Sequence, residues 1–112
     1  MRVAIPVTGG KLAEHFGHCE QFALIDVDQS RKAVLVKTLV DAPPHQPGLL
    51  PQWLSELGAE VVIAGGMGRK ARQLFEQSGI AVVVGASEKN PEQIVVSYLH
   101  GTLSTGANFC EH

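Results

Sequence analysis

Apolar residues are spaced differently in the two halves of the chain, and the spacing predicts the elements. In Arg2–Val7 they crowd into the β-branched run Val3-Ala4-Ile5-Pro6-Val7, which stops at Thr8-Gly9-Gly10, the punctuation of a strand giving way to a loop. Residues 11–20 read as that loop. Gln21–Val27 and Ala33–Val40 are the next strand candidates, and the polar stretch Asp28-Gln29-Ser30-Arg31-Lys32 between them suits a hairpin, so the two are expected to be antiparallel. Asp41-Ala42-Pro43-Pro44-His45-Gln46-Pro47-Gly48 holds too much proline for regular structure and reads as an exposed connection.

From Leu49 the period lengthens. Leu50, Trp53, Leu54 and Leu57 recur at steps of three and four residues and Gly58 follows as a stop, the pattern of an amphipathic helix. Glu60–Ala64 is a continuous apolar strand, Arg69–Ser78 a second helix with Ala71, Leu74 and Phe75 inward, and Ile80–Val84 a second buried strand. The third helix starts with Asn90 as N-cap, Pro91 at its first position and Gln93 in the capping-box place, and it ends before Gly101. Residues 102–112 show no period and read as a flexible tail. The expected architecture is a single α/β domain over residues 1–112, a mixed five-stranded sheet in the order β-β-β-α-β-α-β-α flanked by helices, with a right-handed crossover between its parallel strands. Binding sites in such a fold are expected at the carboxyl ends of the parallel strands.

Composition narrows the function classes. With 112 residues and 45% hydrophobic content the chain suffices for one core. Nine Lys plus Arg against eleven Asp plus Glu give a net charge of −2, which offers no general grip on a nucleic acid. Apolar runs such as Val61-Val62-Ile63-Ala64 fall far short of the roughly 20 residues of a membrane span, and no secretory signal precedes the first strand. A cytoplasmic protein with neither nucleic-acid nor membrane partners is expected, and in that compartment Cys19 and Cys110 are expected free or metal-bound rather than bridged.

Two constellations carry candidate chemistry. His15-Phe16-Gly17-His18-Cys19 places two imidazoles and a thiol within five residues of the first loop, a donor set suited to iron, iron–sulfur, zinc or copper(I) and unsuited to magnesium or calcium. Cys110 and His112 in the tail would add a second thiol and a further imidazole if the tail folded back. Against these stands the plainer reading of solvated histidines and a packing cysteine. Neither group has the C-x-x-C spacing of a zinc ribbon or a ferredoxin. The second constellation, Gly65-Gly66-Met67-Gly68-Arg69, joins a buried strand to a helix, where backbone N–H groups, the helix dipole, Arg69, Lys70 and Arg72 favour an anion. The glycines would otherwise serve only a tight corner. Gly66-x-Gly68-x-x-Ala71 matches a dinucleotide fingerprint in form, without the surrounding sheet, and Ala71 after Lys70 excludes a Walker loop. Asp26 and Asp28 read as the solvated end of a strand, and no serine sits in a nucleophile elbow, so hydrolysis is not expected.

Taken together, Met1-Arg2-Val3-Ala4-Ile5-Pro6-Val7, His15-Phe16-Gly17-His18-Cys19 before Phe22-Ala23-Leu24-Ile25, and Val61-Val62-Ile63-Ala64-Gly65-Gly66-Met67-Gly68 resemble the dinitrogenase iron–molybdenum cofactor biosynthesis family over nearly the whole chain. The resemblance implies a ribonuclease-H-like fold without nuclease activity. It further implies a small non-enzymatic carrier, of a kind found in anaerobes, for a metal–sulfur cluster or iron–molybdenum-type cofactor precursor exchanged with donor and acceptor proteins of cluster assembly. By similarity the loop from His15 to Cys19 and the turn from Gly65 to Gly68 flank the pocket, with ligation falling to His15, His18 or Cys19. The residues add Cys110 and His112 as candidate ligands and Arg69 as a neutralising charge. Two alternatives accompany that reading: an anion- or nucleotide-binding regulatory module using Gly65–Gly68, and a structural zinc that ties the tail to the first loop.

Overall fold

The computed structural model describes residues 1–13, 16, 19–44, 46 and 48–103. Six strands and three helices follow one another as β1 (Arg2–Thr8), β2 (Lys11–Leu12), β3 (Gln21–Asp28), β4 (Ala33–Asp41), α1 (Leu49–Glu56), β5 (Val61–Ile63), α2 (Arg69–Gln77), β6 (Ala81–Val83) and α3 (Pro91–Leu99). The order in the sheet is β4-β3-β1-β5-β6, and β2 pairs with β1 off that path. β1 is antiparallel to β3, which is antiparallel to β4, while β1, β5 and β6 run parallel. The sheet is therefore mixed, as its sequence pattern predicts.

It has six strands rather than five. Gly9 and Gly10 do not merely end β1; with φ of 62° and 79° they form a two-residue turn that folds Lys11 and Leu12 back against Thr8 and Val7. Two consecutive residues with positive φ are the geometry of a tight hairpin, and only glycine takes it without a steric cost. The parallel strands are also shorter at their ends than their apolar runs; Glu60 and Ala64 lie just outside the ladder and bond to its neighbours, Glu60 N–H to Arg2 C=O at 2.9 Å and Ala64 N–H to Val83 C=O at 2.9 Å, while their carbonyls accept from Ala81 at 3.0 Å and Ala86 at 3.2 Å.

Both faces of the sheet are buried along its inner strands β3, β1 and β5. Val3, Ile5, Val7, Ala23, Ile25, Val61 and Ile63 pack on one side against Ile94 and Val95 of α3. Ala4, Phe22, Leu24 and Val62 pack on the other against Leu54 of α1 and Phe75 of α2. α3 is capped as expected, Asn90 Oδ1 accepting from Gln93 N–H at 3.1 Å, but the reciprocal half of the box is made by Glu88, whose carboxylate accepts from Asn90 N–H at 3.1 Å. Among the described residues no helix is long and apolar enough to cross a membrane.

Candidate functional site at the carboxyl edge of the sheet

The topology gathers five chain segments at one edge. β1, β5 and β6 end there, and the antiparallel partners put the start of β3 and the end of β4 at the same place, since Val7 pairs with Gln21 and Gln21 with Asp41. Thr8-Gly9-Gly10, Cys19-Glu20, Asp41-Ala42, Gly65–Gly68 and Gly85-Ala86 thus share one rim. Backbone bonds stitch it together. Glu20 N–H donates to Val7 C=O at 3.1 Å, Ala42 N–H to Glu20 C=O at 3.0 Å, and Gly85 N–H to Gly65 C=O at 3.0 Å. The Glu20 carboxylate accepts from Gly9 N–H at 3.0 Å.

Phe16 fixes the first loop to the glycine turn. Its N–H donates to Gly66 C=O at 3.1 Å, and its ring is buried edge-on against Phe22 and Phe75, with centroids 5.6 Å and 5.3 Å apart. The flanking His15, Gly17 and His18 lie outside the described residues, as do Cys110, His112 and His45. Cys19, three residues beyond Phe16, is half-buried beside the same aromatic cluster. Burial pushes its thiol up to about 11, a hydrogen bond to backbone offsetting part of that shift. The thiol is therefore protonated at neutral pH, and a metal arriving there must displace the proton. Among the described residues no three His, Cys, Asp or Glu side chains gather around one point.

The glycine turn has a graded exposure. Gly65, Gly66 and Met67 are buried, Gly68 is half-exposed, and Arg69 and Lys70 open to solvent. Gly68 is the N-cap of α2 with φ −66° and ψ 156°, an extended conformation open to any residue, and a Cβ built on it meets no atom within 4 Å. Neither backbone conformation nor packing among the described residues requires glycine at 68. Among the described residues no side chain caps the first turn of α2, and no acidic residue occupies that turn, so its N–H groups and dipole present a positive end at the rim.

The carboxylates singled out by sequence lie at the far end of the sheet. Asp26 receives the Arg2 guanidinium, Nε to Oδ1 at 2.8 Å, and this hydrogen bond holds its carboxyl below the usual range. Asp28 Oδ1 accepts from the N–H groups of Ser30 at 2.9 Å and Arg31 at 3.1 Å, which shapes the β3–β4 turn. Phe16, which lies inside the His15–Cys19 motif but takes no role from it, and Glu20 are the rim residues whose part the motifs do not reveal. An isolated aromatic in a polar loop was the available signal for the first, and none marked the second.

Known proteins share this arrangement over almost its full length. MJ0580, an uncharacterized protein of Methanocaldococcus jannaschii, is 24% identical over 106 residues, covering 92% of this chain and 89% of its own. The crystal structure of PH0822 superposes with a TM-score of 0.85 at 30% identity, with 94% of each chain covered. The orange protein of Desulfovibrio gigas, solved in its apo form, superposes with a TM-score of 0.74 at 26% identity over 96% of this chain and 93% of that one. Residues 1–101 match the family described as dinitrogenase iron-molybdenum cofactor, and the chain belongs to that family.

Proposed function

We propose that the protein binds and carries a metal–sulfur cluster or an iron–molybdenum-type cofactor precursor at the carboxyl rim of its sheet, and that it does so without catalysing a reaction. The supporting observation is the hydrogen bond from Phe16 N–H to Gly66 C=O, which sets the loop bearing Cys19 against the turn whose unshielded amides favour an anion. The residues fit such a cargo. Cys19 supplies a soft donor, and the missing side chain at Gly68 leaves open space in front of a helix N-terminus, where a cluster carrying negative charge would be stabilised. Arg69 and Lys70, both exposed, add positive charge beside it.

The high pKa of Cys19 suits a carrier. A thiol that resists ionisation binds metal with release of a proton and surrenders it more readily than a preformed thiolate. Exchange with donor and acceptor proteins then needs no unfolding of the site. The order β4-β3-β1-β5-β6, an antiparallel meander beside parallel strands, supports the ribonuclease-H-like label. The structural-zinc alternative depends on Cys110 and His112, which fall outside the described residues.

A second reading, an anion- or nucleotide-binding module, is favoured by the open space at Gly68 alone. Substitution separates the two. With iron, sulfide and molybdate offered under anaerobic conditions, Cys19→Ser should abolish loading while Gly68→Val weakens it. If Cys19→Ser loads like the wild type and only Gly68→Val loses ligand, the anion-binding module replaces the carrier.

A further inference from the structure

We infer that β4 is a self-association edge, and that two copies of the chain pair through it in antiparallel fashion around a two-fold axis near Lys37, joining their sheets into one. β4 ends the sheet, and among the described residues it is paired only with β3, so the outer backbone groups of a nine-residue strand face outward. Its exposed apolar side chains are Leu35 at 62%, Val36 at 54% and Leu39 at 44%, the exposed large hydrophobics of the described chain. Long apolar edges template pairing with another strand, and proteins that remain monomeric guard them with proline, short strands, free charges or bulges.

The guards here are weak. β4 holds no proline, and its single interior charge, Lys37, is already tied to Glu92 of α3, Nζ to Oε1 at 2.9 Å. A bulge leaves Leu35 without a partner on β3, because Asp26 pairs with Val36 and Val27 with Val34. That bulge bends and twists the start of the strand and is the one guard of this kind that the edge carries, so pairing has to rest on the regular stretch from Val36 to Asp41.

Charge points to a second copy rather than a different partner. The strand starts beside the exposed Lys32, next to Arg31, whose guanidinium already faces Asp28 at 3.8 Å, and it ends on the exposed Asp41. Reversal by a two-fold axis lays Arg31 and Lys32 of one copy near Asp41 of the other at both ends of the pair, and brings Leu35 near the other copy's Leu39. A strand with opposite charges at its ends is complementary to its own antiparallel image. In such a dimer the two candidate rims point to opposite ends of the joined sheet, so neither blocks the other. An interface of one strand pair is small, and association should be weak and concentration-dependent.

Sedimentation velocity on the full chain, from about 10 μM to about 1 mM, tests this. The wild type should shift from monomer to dimer across the range, and Leu35→Lys with Leu39→Lys should stay monomeric while keeping the wild-type circular dichroism spectrum. Lys32→Glu and Asp41→Lys should each weaken the dimer by roughly three-fold or more, and their equimolar mixture should restore it, because both ends of the mixed pair are again complementary. These two exposed substitutions keep the test decisive if the double lysine variant does not fold. A wild type that is monomeric at about 1 mM, a dimer indifferent to the β4 lysines, or a mixture no tighter than its parts would each overturn the proposal.

Discussion

The two faces of the sheet are packed with different chemistry, and only one of them extends into the candidate site. Beneath α3 the buried set is wholly aliphatic, and of the rim residues it includes only Ala86. Beneath α1 and α2 the buried set includes Phe16, Phe22, Phe75 and Met67, of which Phe16 and Met67 lie outside strands and helices, in the first loop and in the glycine turn. Branched aliphatics fill a sheet surface well but reach only a short way from the backbone. Rings span 5 to 6 Å in fixed edge-on pairs, so a loop residue such as Phe16 can be locked to a helix residue such as Phe75 across the rim. The aliphatic face is a scaffold, and the aromatic face is the mount that holds the binding loop.

The hardest test of that division is Phe16→Ala. Truncating this buried ring should cost about 3–5 kcal/mol of unfolding free energy in a urea titration, and any folded fraction should load no metal, since the loop loses its anchor. Ile94→Val on the aliphatic face should cost about 0.5–1.5 kcal/mol and leave metal loading per folded molecule unchanged. Equal effects of the two on loading would erase the distinction between mount and scaffold. Gly68→Ala should change stability by no more than about 0.5 kcal/mol, because its conformation suits any residue and its Cβ meets open space, yet it should weaken loading.

Smaller effects concern protons. In metal-free protein, alkylation at Cys19, read at the peptide level by mass spectrometry, should be slow at neutral pH and rise roughly tenfold per pH unit toward about 11. A rate already at its plateau near pH 8 would mean the thiol is not buried as described. At the opposite end of the sheet, the hydrogen bond from Arg2 depresses the Asp26 carboxyl. A depressed carboxylate contributes stability that is present above its unfolded pKa, about 3.9, and lost as pH falls through the lower folded value. Asp26→Asn should therefore flatten the acid limb of the stability profile slightly and leave metal loading unchanged. The effect is the smallest of the set, because both side chains are more than a third exposed.

Element types were legible in the sequence wherever a period or an apolar run was long enough to see, as in β1, β3, β4, the three helices and the short apolar strands β5 and β6. β2 was not, because two residues cannot display an alternation; its trace was the Gly9-Gly10 pair between Val7-Thr8 and Lys11-Leu12, a hairpin signal read instead as the end of a strand. For the site, the motifs located the rim through Cys19 and Gly65–Gly68. They could not reveal that Phe16 ties those segments together, since a long-range contact between a loop aromatic and a helix aromatic leaves no periodic mark. Nor could they show that Gly68 is free of conformational need, which depends on its φ and on the space before it.

The most direct test of the central claim is metal and acid-labile sulfide analysis, with a visible absorption spectrum, on protein purified anaerobically from cells supplied with iron and molybdate. The account predicts iron or molybdenum with stoichiometric sulfide and a visible band that Cys19→Ser abolishes. Colourless wild-type protein with neither metal nor sulfide, before and after reconstitution, would contradict it.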